Sequence, residues 1–314
     1  MTLISRFEDT QEQARRWQAL DPLLPSPRPL DSLDDGAPLR VEGASAAGIA
    51  RCQRPDPDSL GACWGALRQH RLAAGRVGGD PSASMHALLE RWRSHLLSQP
   101  ASDDRDSSAI ISWPSRDTAV TRALLDHGLS ARTVLAVRPA GRPMPDAGPA
   151  AETTIRPLND GDVDDAVALW LAEVRWDAQF GAVVERPAAA DRIREEVLSL
   201  LEEDRPWAWI AERDADVVGL AVVSRPERAQ WVAPVVAASP VAYVNCMSVR
   251  PGRRGQGIGT RLAAHVHDAM DRAGISVTLL HYAALNPLSA PFWHRCGYRP
   301  LWTAWEVRPH TAIR

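Results

Sequence analysis

The stretch that most constrains the fold of this 314-residue chain is VRPGRRGQGIGTRL, residues 249–262. It joins a strand-like run to a helix-like run through glycines at 255, 257 and 259. The first amides of a helix have no partner within the helix, and the helix dipole favours negative charge beside them. Because glycine has no Cβ, the backbone of such a turn can approach an anion closely. The stretch therefore predicts a phosphate site, to which Arg254 adds positive charge.

The spacing of these glycines excludes one common class of phosphate binder. The dinucleotide fingerprint G-x-G-x-x-G fails here because its last position falls on Thr260 or on Leu262. Composition excludes two more classes, since every basic side chain is Arg and the chain has no Lys. A Walker A loop and a Schiff-base enzyme both need a Lys amine. The four cysteines show no metal-ligand spacing, so we expect no metal centre.

Composition and charge also bear on location and partners. Hydrophobic residues make up 45% of the chain, yet no run of about 18 apolar residues appears, so we expect no membrane span. The N-terminal residues are too charged for a secretory signal, which predicts a cytoplasmic protein. The net charge is −3, and no basic stretch lies outside the glycine turn, so no nucleic acid is expected as a partner. The oligomeric state is left open.

The chain divides into two halves at a segment rich in proline, glycine and alanine, residues 138–152. We expect a first domain at 1–145, a linker at 146–152 and a second domain at 153–314. Residues 117–139 also align with 286–309, with one inserted residue, and both segments end in Val-Arg-Pro. This faint repeat fits duplication of one fold.

The second half alternates strand-like and helix-like segments. TTIRPL is followed by two amphipathic helices, and 207–224 reads as a hairpin around the polar turn Arg213–Asp216. A strand at 241–249 enters the glycine turn, and VTLLHYA at 277–283 follows the next helix. This order predicts a mixed sheet flanked by helices, an α/β fold, or α+β in looser usage.

Here the second half resembles the GNAT acetyltransferase superfamily, whose pyrophosphate loop has the form Arg/Gln-x-x-Gly-x-Gly/Ala. Arg254, Gly257 and Gly259 match that form on a strand–turn–helix. A second motif of the family follows downstream in the expected order. Its members in this chain are Asn286, Ala290, the pair Phe292-Trp293 and the pair Gly297-Tyr298.

The resemblance implies an N-acetyltransferase in which an amine attacks the thioester of acetyl-CoA directly. The pantetheine would lie between the strands 241–249 and 277–283, which splay apart, and would pair with the backbone of the first. Asn286 would bond to the pantetheine, and amides of 255–260 would hold the pyrophosphate. The residues assigned to acetyl-CoA are Met247, Val249, Arg254, Gly255, Gln256, Gly257, Ile258, Gly259, Thr260, Asn286 and Trp293.

The resemblance weakens at the catalytic groups. The family often has Tyr where Trp293 stands, and an indole N–H cannot act as a general acid at neutral pH. Tyr298 or water are the alternatives for protonating the thiolate. The strand 241–249 carries no carboxylate that could act as a base. The polar alternatives nearby are Tyr243, His281 and Tyr282, of which we take Tyr243 and His281 as the catalytic candidates, with a structural role on the strands as the open alternative.

The acceptor, a small-molecule or peptide amine, is expected beside the loop that joins the first two helices of the second half. Glu173 and Asp177 could attract an ammonium group there. Trp176 and Phe180 could flank the acceptor, with a plain core role as the open alternative.

The first half lacks the phosphate loop. In GRVGGDP, residues 75–81, Asp80 would repel a pyrophosphate and Pro81 removes an amide donor. We interpret the first half, residues 1–145, as a degenerate copy of the same fold, or as an unrelated cap. Two other functions stay open: a non-catalytic module that senses acyl-CoA, and a transferase that uses aminoacyl-tRNA, which the complete phosphate loop disfavours.

Overall fold

The computed structural model describes residues 3–27, 36–41, 46–99, 105–148 and 153–314, so residues 149–152 of the expected linker lie outside the described residues. The described helices are α1 (Leu3–Leu20), α2 (Pro81–Leu97), α3 (Thr121–Asp126), α4 (Val163–Ala178), α5 (Ala189–Leu201), α6 (Ile258–Arg272) and α7 (Ser289–Arg295). The described strands are β1 (Ala37–Val41), β2 (Ala46–Gln53), β3 (Arg68–Val77), β4 (Ser107–Pro114), β5 (Ser130–Pro139), β6 (Thr154–Pro157), β7 (Ala208–Arg213), β8 (Asp216–Ser224), β9 (Val241–Val249), β10 (Val277–Ala283) and β11 (Arg299–Val307).

The eleven described strands form one mixed sheet in the order β1-β2-β3-β4-β11-β5-β10-β9-β8-β7-β6. The two halves exchange their last strands. β5 of the first half pairs with β10 of the second, β11 of the second half pairs with β4 of the first, and both pairings are antiparallel. The order is nearly symmetric about the central β5–β11 pair. The parallel pair β3–β4 on one side matches the parallel pair β9–β10 on the other. The two segments of the faint repeat end in these two central strands.

Local sequence explains the elements around the glycine turn. Helix α4 follows a capping box in which Asn159 accepts from the Gly161 amide and Asp162 accepts from the Asn159 amide at 2.9 Å. The hairpin β7–β8 turns at Asp214 and Ala215, which both have positive φ, as a tight hairpin turn requires.

The sheet is covered on both faces. Helix α6 buries one apolar stripe, which spans Ile258, Leu262, Val266 and Met270, against the middle of β8 and β9. Helices α4 and α5 form a separate apolar cluster that includes Cys246 of β9. Within the described residues, no helix is both long and apolar enough to cross a membrane.

Strands β9 and β10 stay together for only part of their length. They pair at Val241–Val277, Ala242–Thr278 and Tyr243–Leu279, and the pairing ends there. The other edge of β9 pairs with β8 as far as Val249, with a bulge at Asn245. A cleft therefore opens between β9 and β10 above Tyr243, as the sequence predicted for these two strands.

Candidate active site

The glycine turn lies at the mouth of this cleft. Gly255 and Gly257 have φ of 77° and 78°, and Gly257 is the N-cap of α6. Helix α6 begins at Ile258, so the amides of Ile258, Gly259 and Thr260 are the ones without helical acceptors. A Cβ on Gly255 would meet no heavy atom within 4 Å. The Cβ position of Gly257 lies 2.7 Å from the Ala147 carbonyl oxygen, so this part of the chain lies against one side of the turn. The amides at the start of α6 are the groups suited to an anion.

The side chains of the turn are fixed from two sides. Gln256 accepts from Arg213 of β7 at 2.5 Å, which ties the turn to the β7–β8 hairpin. Arg254 donates to the Val249 carbonyl at 3.2 Å, and its guanidinium lies 4.8 Å from the ring centre of Trp176. Trp176, which was predicted to flank the acceptor, thus packs beside the glycine turn. Phe180 packs edge-on against Trp176 at 5.7 Å.

The bulge at Asn245 decides which side chains of β9 face α4. Cys246 packs in the α4–α5 cluster, whereas Val244 and Met247 pack on the α6 side. Glu173 of α4 therefore faces the part of β9 whose outer edge is free. Its Oε2 atom is buried and has no hydrogen-bond partner among the described residues. Burial and the nearby Asp177 raise the pKa of Glu173 to about 7, against the opposing effects of Cys246, Met247 and Arg254.

Asp177 and Asn286 meet beside Glu173. The Asn286 side-chain amide donates to Asp177 Oδ1 at 2.7 Å and to Ser289 at 3.0 Å. Its oxygen accepts from the amides of Leu288 and Ser289, so Asn286 also holds the start of α7. Burial raises the pKa of Asp177, and its hydrogen bond to Asn286 and the Arg254 charge oppose that rise. Four predicted residues from distant parts of the sequence, namely Glu173, Asp177, Arg254 and Asn286, thus form one cluster.

Tyr243 and His281 form a second pair, where the cleft begins. The Tyr243 hydroxyl lies 2.9 Å from His281 Nδ1. His281 exposes its ring to a cavity, and desolvation and then the Arg71 charge lower its pKa to about 4. Burial also raises the pKa of the Tyr243 hydroxyl. At neutral pH both groups are uncharged, so this pair can exchange hydrogen bonds but is a weak source of base.

The aromatic residues of the motif at 286–298 do not line the cleft between β9 and β10: two lie in the core and one lies beside the glycine turn. Trp293 is 7% exposed and packs in the α6 core against Phe292 and Tyr298. Phe292, in front of it, lies 3.5 Å from the position of a Cβ on Gly259, so Phe292 contacts the phosphate turn. Tyr298 is buried beside His267 of α6. A cofactor role for Trp293 stays a prediction, and the core position of Tyr298 does not favour it as the acid.

The acceptor loop between α4 and α5 is held by the first half of the chain. The Arg186 guanidinium donates to the carbonyls of Ala62 and Gly65 at 3.1 and 2.9 Å and to Asp106 at 2.7 Å. The Val184 amide donates to the Cys63 carbonyl at 2.8 Å. These bonds fix the wall of the cleft to a part of the sequence that lies about 120 residues earlier.

The corresponding cleft of the first half is filled by its own side chains. Strands β3 and β4 pair from Arg68 to Leu72 and then part. Beyond that point the Val77 amide donates to Gln13 at 2.8 Å, and Arg16 donates to the Val77 carbonyl at 3.2 Å. The Asp80 carboxylate accepts from the amides of Ser82 and Ala83 and so occupies the N-terminus of α2. A second donor site of the same kind is therefore blocked at both places.

With this geometry established, comparison with known proteins gives the class. Residues 171–298 match the family model described as Acetyltransferase (GNAT) family. The second half of the chain thus carries a GNAT acetyltransferase domain, and the protein is an acetyltransferase. No curated protein matches the chain.

Solved structures agree on the fold. A GCN5-related N-acetyltransferase from Sphaerobacter thermophilus is 15% identical, with 86% of this chain and 78% of that chain covered and a TM-score of 0.50. A GNAT-family acetyltransferase from Colwellia psychrerythraea is 11% identical, with 84% and 85% covered and a TM-score of 0.50. An aminoglycoside N-acetyltransferase, AAC(6')-Iy in complex with CoA, is 18% identical, with 49% and 92% covered and a TM-score of 0.39. At these identities the likeness of the first two concerns the fold alone, and the third adds nothing to that.

Proposed function

We propose that the second half transfers the acetyl group of acetyl-CoA to an amine of a small molecule or peptide. The observation that carries the proposal is the free edge of β9 above Tyr243, which lies between the glycine turn and Glu173. An extended chain can pair with such an edge as a further strand does. The proposed donor path runs from the turn amides along Met247 and Val249 toward Asn245.

The residues along this path fit a thioester donor. Amides of 258–260 would hold the pyrophosphate, with Arg254 as the charged partner. At the inner end, the register of β9 against β8 shifts at Asn245, and an amide that such a bulge frees from the ladder would stabilise a developing oxyanion. Acetyl-CoA supplies an activated acyl group, so the protein's part is positioning, charge stabilisation and proton removal.

We assign the proton removal to Glu173. Its pKa of about 7 leaves it partly ionised at neutral pH, which is the condition for an effective general base. Tyr243, whose raised pKa keeps it protonated, is the donor nearest to the start of the cleft. The amine would give its proton to Glu173 while its nitrogen bonds to the acyl carbon, and the thiolate would leave and take a proton from water, with the Tyr243 hydroxyl as a hydrogen-bond donor to the departing sulfur.

We further infer that the first half is a degenerate copy of the second. The support is the near symmetry of the strand order and the match of the two parallel pairs. The aligned residues Asp117 and Asn286 also hold corresponding places, since Asp117 accepts from Arg16 of α1 at 2.8 Å and Asn286 donates to Asp177 of α4. The boundaries 1–145 and 153–314 belong to this proposal.

The proposed function is tested by two measurements on the full chain. Titration calorimetry with acetyl-CoA is expected to show saturable binding, and incubation with a panel of primary amines is expected to release free CoA thiol. Absence of binding would remove the basis of the proposal. Binding without turnover with any amine would favour the sensor module.

Arg186→Ala is expected to raise the acceptor KM severalfold with little change in the Kd for acetyl-CoA. The substitution removes the bonds that fix the acceptor loop to the first half but leaves the glycine turn intact. Steady-state kinetics and calorimetry check the two values. Arg175→Ala is the control, because it removes only an exposed ion pair to Glu185. An unchanged KM in Arg186→Ala would contradict a role of the first half in holding this loop.

A further inference from the structure

A cavity of about 410 Å³ lies over the centre of the sheet, between the two halves. Six neighbouring strands form its floor, from β2 through β3, β4, β11 and β5 to β10, and segments 25–27 and 231–235 help to close it. A space of this size takes a small organic molecule. No side chain assigned to the phosphate turn or to the Glu173 cluster lines it.

One end of the cavity lies where the cleft between β9 and β10 begins. His281 lines it, two residues beyond the last paired residue of β10, Leu279. Trp231 stacks on His281 with ring centres 6.3 Å apart and meets Tyr243 edge-on at 4.9 Å. A molecule in the cavity therefore reaches the place where the thioester of the proposed donor would end.

The middle of the cavity is apolar. Leu72, Leu135 and Ile110 rise from the floor, and Trp17 and Trp302 meet edge-on at 5.2 Å beside them. The Trp302 indole already donates to the Val235 carbonyl at 2.8 Å. These surfaces suit an aromatic or aliphatic body rather than a chain of polar groups.

The other end carries two arginines from the first half. Arg51 of β2 and Arg71 of β3 are opposite each other in the strand register and both line the cavity. Gln69 holds Arg71 through bonds of 2.6 and 3.1 Å. The Nε of Arg51 is buried without a hydrogen-bond partner among the described residues. The described lining contains no Asp or Glu, and nearby Glu306 is bound by Arg308 at 2.6 Å.

The two ends of the cavity lie on strands that are far apart, yet the charge of Arg71 at one end affects the pKa of His281 at the other. Three strands separate β3 from β10, so their backbones are about 19 Å apart across the sheet. The Arg71 charge nevertheless contributes to the low pKa of His281. The positive charge of the cavity therefore lies at the end lined by Arg51 and Arg71, and an extended molecule can contact both ends.

We propose that the amine acceptor carries a carboxylate or phosphate at the end remote from its amine, and that Arg51 and Arg71 bind this anion. The inference rests on the proposed function and names its substrate class: an amine with an apolar body and an acidic far end. Arginine forks bind carboxylate and phosphate oxygens in pairs. The first half, which lacks a donor site, thereby supplies the selectivity for the acceptor.

Matched amines test this assignment. The probes are 3-phenylpropylamine, 4-(3-aminopropyl)benzoate and 4-(3-aminopropyl)phenyl phosphate, each with acetyl-CoA, and kcat/KM is measured from thiol release. We expect the acidic probes to be preferred by about 10- to 100-fold, as for a charge-assisted hydrogen bond. The better of the two identifies the anion. Arg51→Met and Arg71→Met are each expected to bring the preference close to one, whereas Arg40→Met, on the exposed edge strand β1, is expected to keep it.

Binding of anions without an amine separates this inference from the proposed function. Calorimetry with 4-propylbenzoate and 4-propylphenyl phosphate is expected to show binding that both cavity variants weaken at least tenfold. If that occurs while no amine is acetylated, the proposed function fails and the anion site stands. If the uncharged amine reacts as well as the acidic ones, or neither anion binds the wild-type protein, the anion site is overturned. Arg51→Met removes an unpaired donor, so it tests the site even if Arg71→Met does not fold.

Discussion

Glu173→Gln is expected to lower kcat by about 10²- to 10⁴-fold, the range for loss of a general base. The carboxylate faces the free edge of β9, where the proposed thioester would end, and within the described part of the chain its Oε2 has no hydrogen-bond partner. Glutamine keeps the size of the side chain and can still accept from the Cys246 thiol and the Met247 amide. It cannot accept the proton of the attacking amine. The loss should therefore appear in kcat more than in the Kd for acetyl-CoA.

The same substitution is expected to stabilise the protein above pH 7. In the fold, burial and Asp177 raise the pKa of Glu173 from 4.5 to about 7. Below pH 4.5 Glu173 is protonated in both the folded and the unfolded protein, so it does not lower the free energy of unfolding. As the pH rises through 7 the buried carboxyl must ionise, and the free energy of unfolding of the wild-type protein falls. Glutamine does not titrate, so the variant avoids that loss. The difference corresponds to about 3 kcal/mol at high pH, and it should vanish near pH 4.5.

Two measurements check this pair of effects. The pH profile of kcat/KM should show a limb near pH 7 in the wild-type protein that Glu173→Gln removes, with Asp177 contributing because the two carboxyls titrate together. Urea unfolding at pH 5 and pH 8 gives the stability difference. Glu195→Gln, on the exposed face of α5, is the matched control and should change neither. A kcat within threefold of wild type would exclude Glu173 as the base.

The strand, the glycine turn and the helix at residues 241–272 were predicted well because they depend on local backbone. The glycine turn, the strand before it and the helix after it are contiguous, and their geometry follows from residues 241–272. The splay of β9 from β10 and the hairpin at Arg213–Asp216 also appear where they were expected. Asn286 was found because its motif lies in a fixed order after the same helix.

The acceptor side could not be predicted because it depends on how distant elements pack. Glu173 was read only as a residue that attracts an ammonium, and its possible role as a base rests on the Asn245 bulge, which turns Cys246 toward α4. No pattern in the sequence indicates that bulge. Arg51 and Arg71 lie more than 200 residues before His281. They face the same cavity only because β11 pairs with the strands of the first half and β5 pairs with β10 of the second half. Trp293 matched a motif position, yet packing places it in the core behind Phe292.

Gly257→Val is expected to abolish measurable binding of acetyl-CoA, with at least a 100-fold rise in Kd. Gly257 has a φ of 78° as the N-cap of α6, a conformation that a β-branched residue resists. A Cβ there would also approach the Ala147 carbonyl oxygen at 2.7 Å. The turn would have to change its path, and the amides of Ile258 and Gly259 would no longer point at one anion.

Two other glycines separate loss of the phosphate site from loss of the fold. Gly274 ends the same helix with a φ of 74° and open space around its Cβ position, so Gly274→Val imposes similar backbone strain away from the turn. It should lower the unfolding midpoint about as much as Gly257→Val does and leave the Kd unchanged. Gly259→Ala places its Cβ in ordinary contact with Phe292 at 3.5 Å and should bind acetyl-CoA within about tenfold of wild type. Should Gly257→Val bind acetyl-CoA as tightly as Gly274→Val, the backbone amides of this turn do not hold the pyrophosphate, and the donor path along β9 must be abandoned with them.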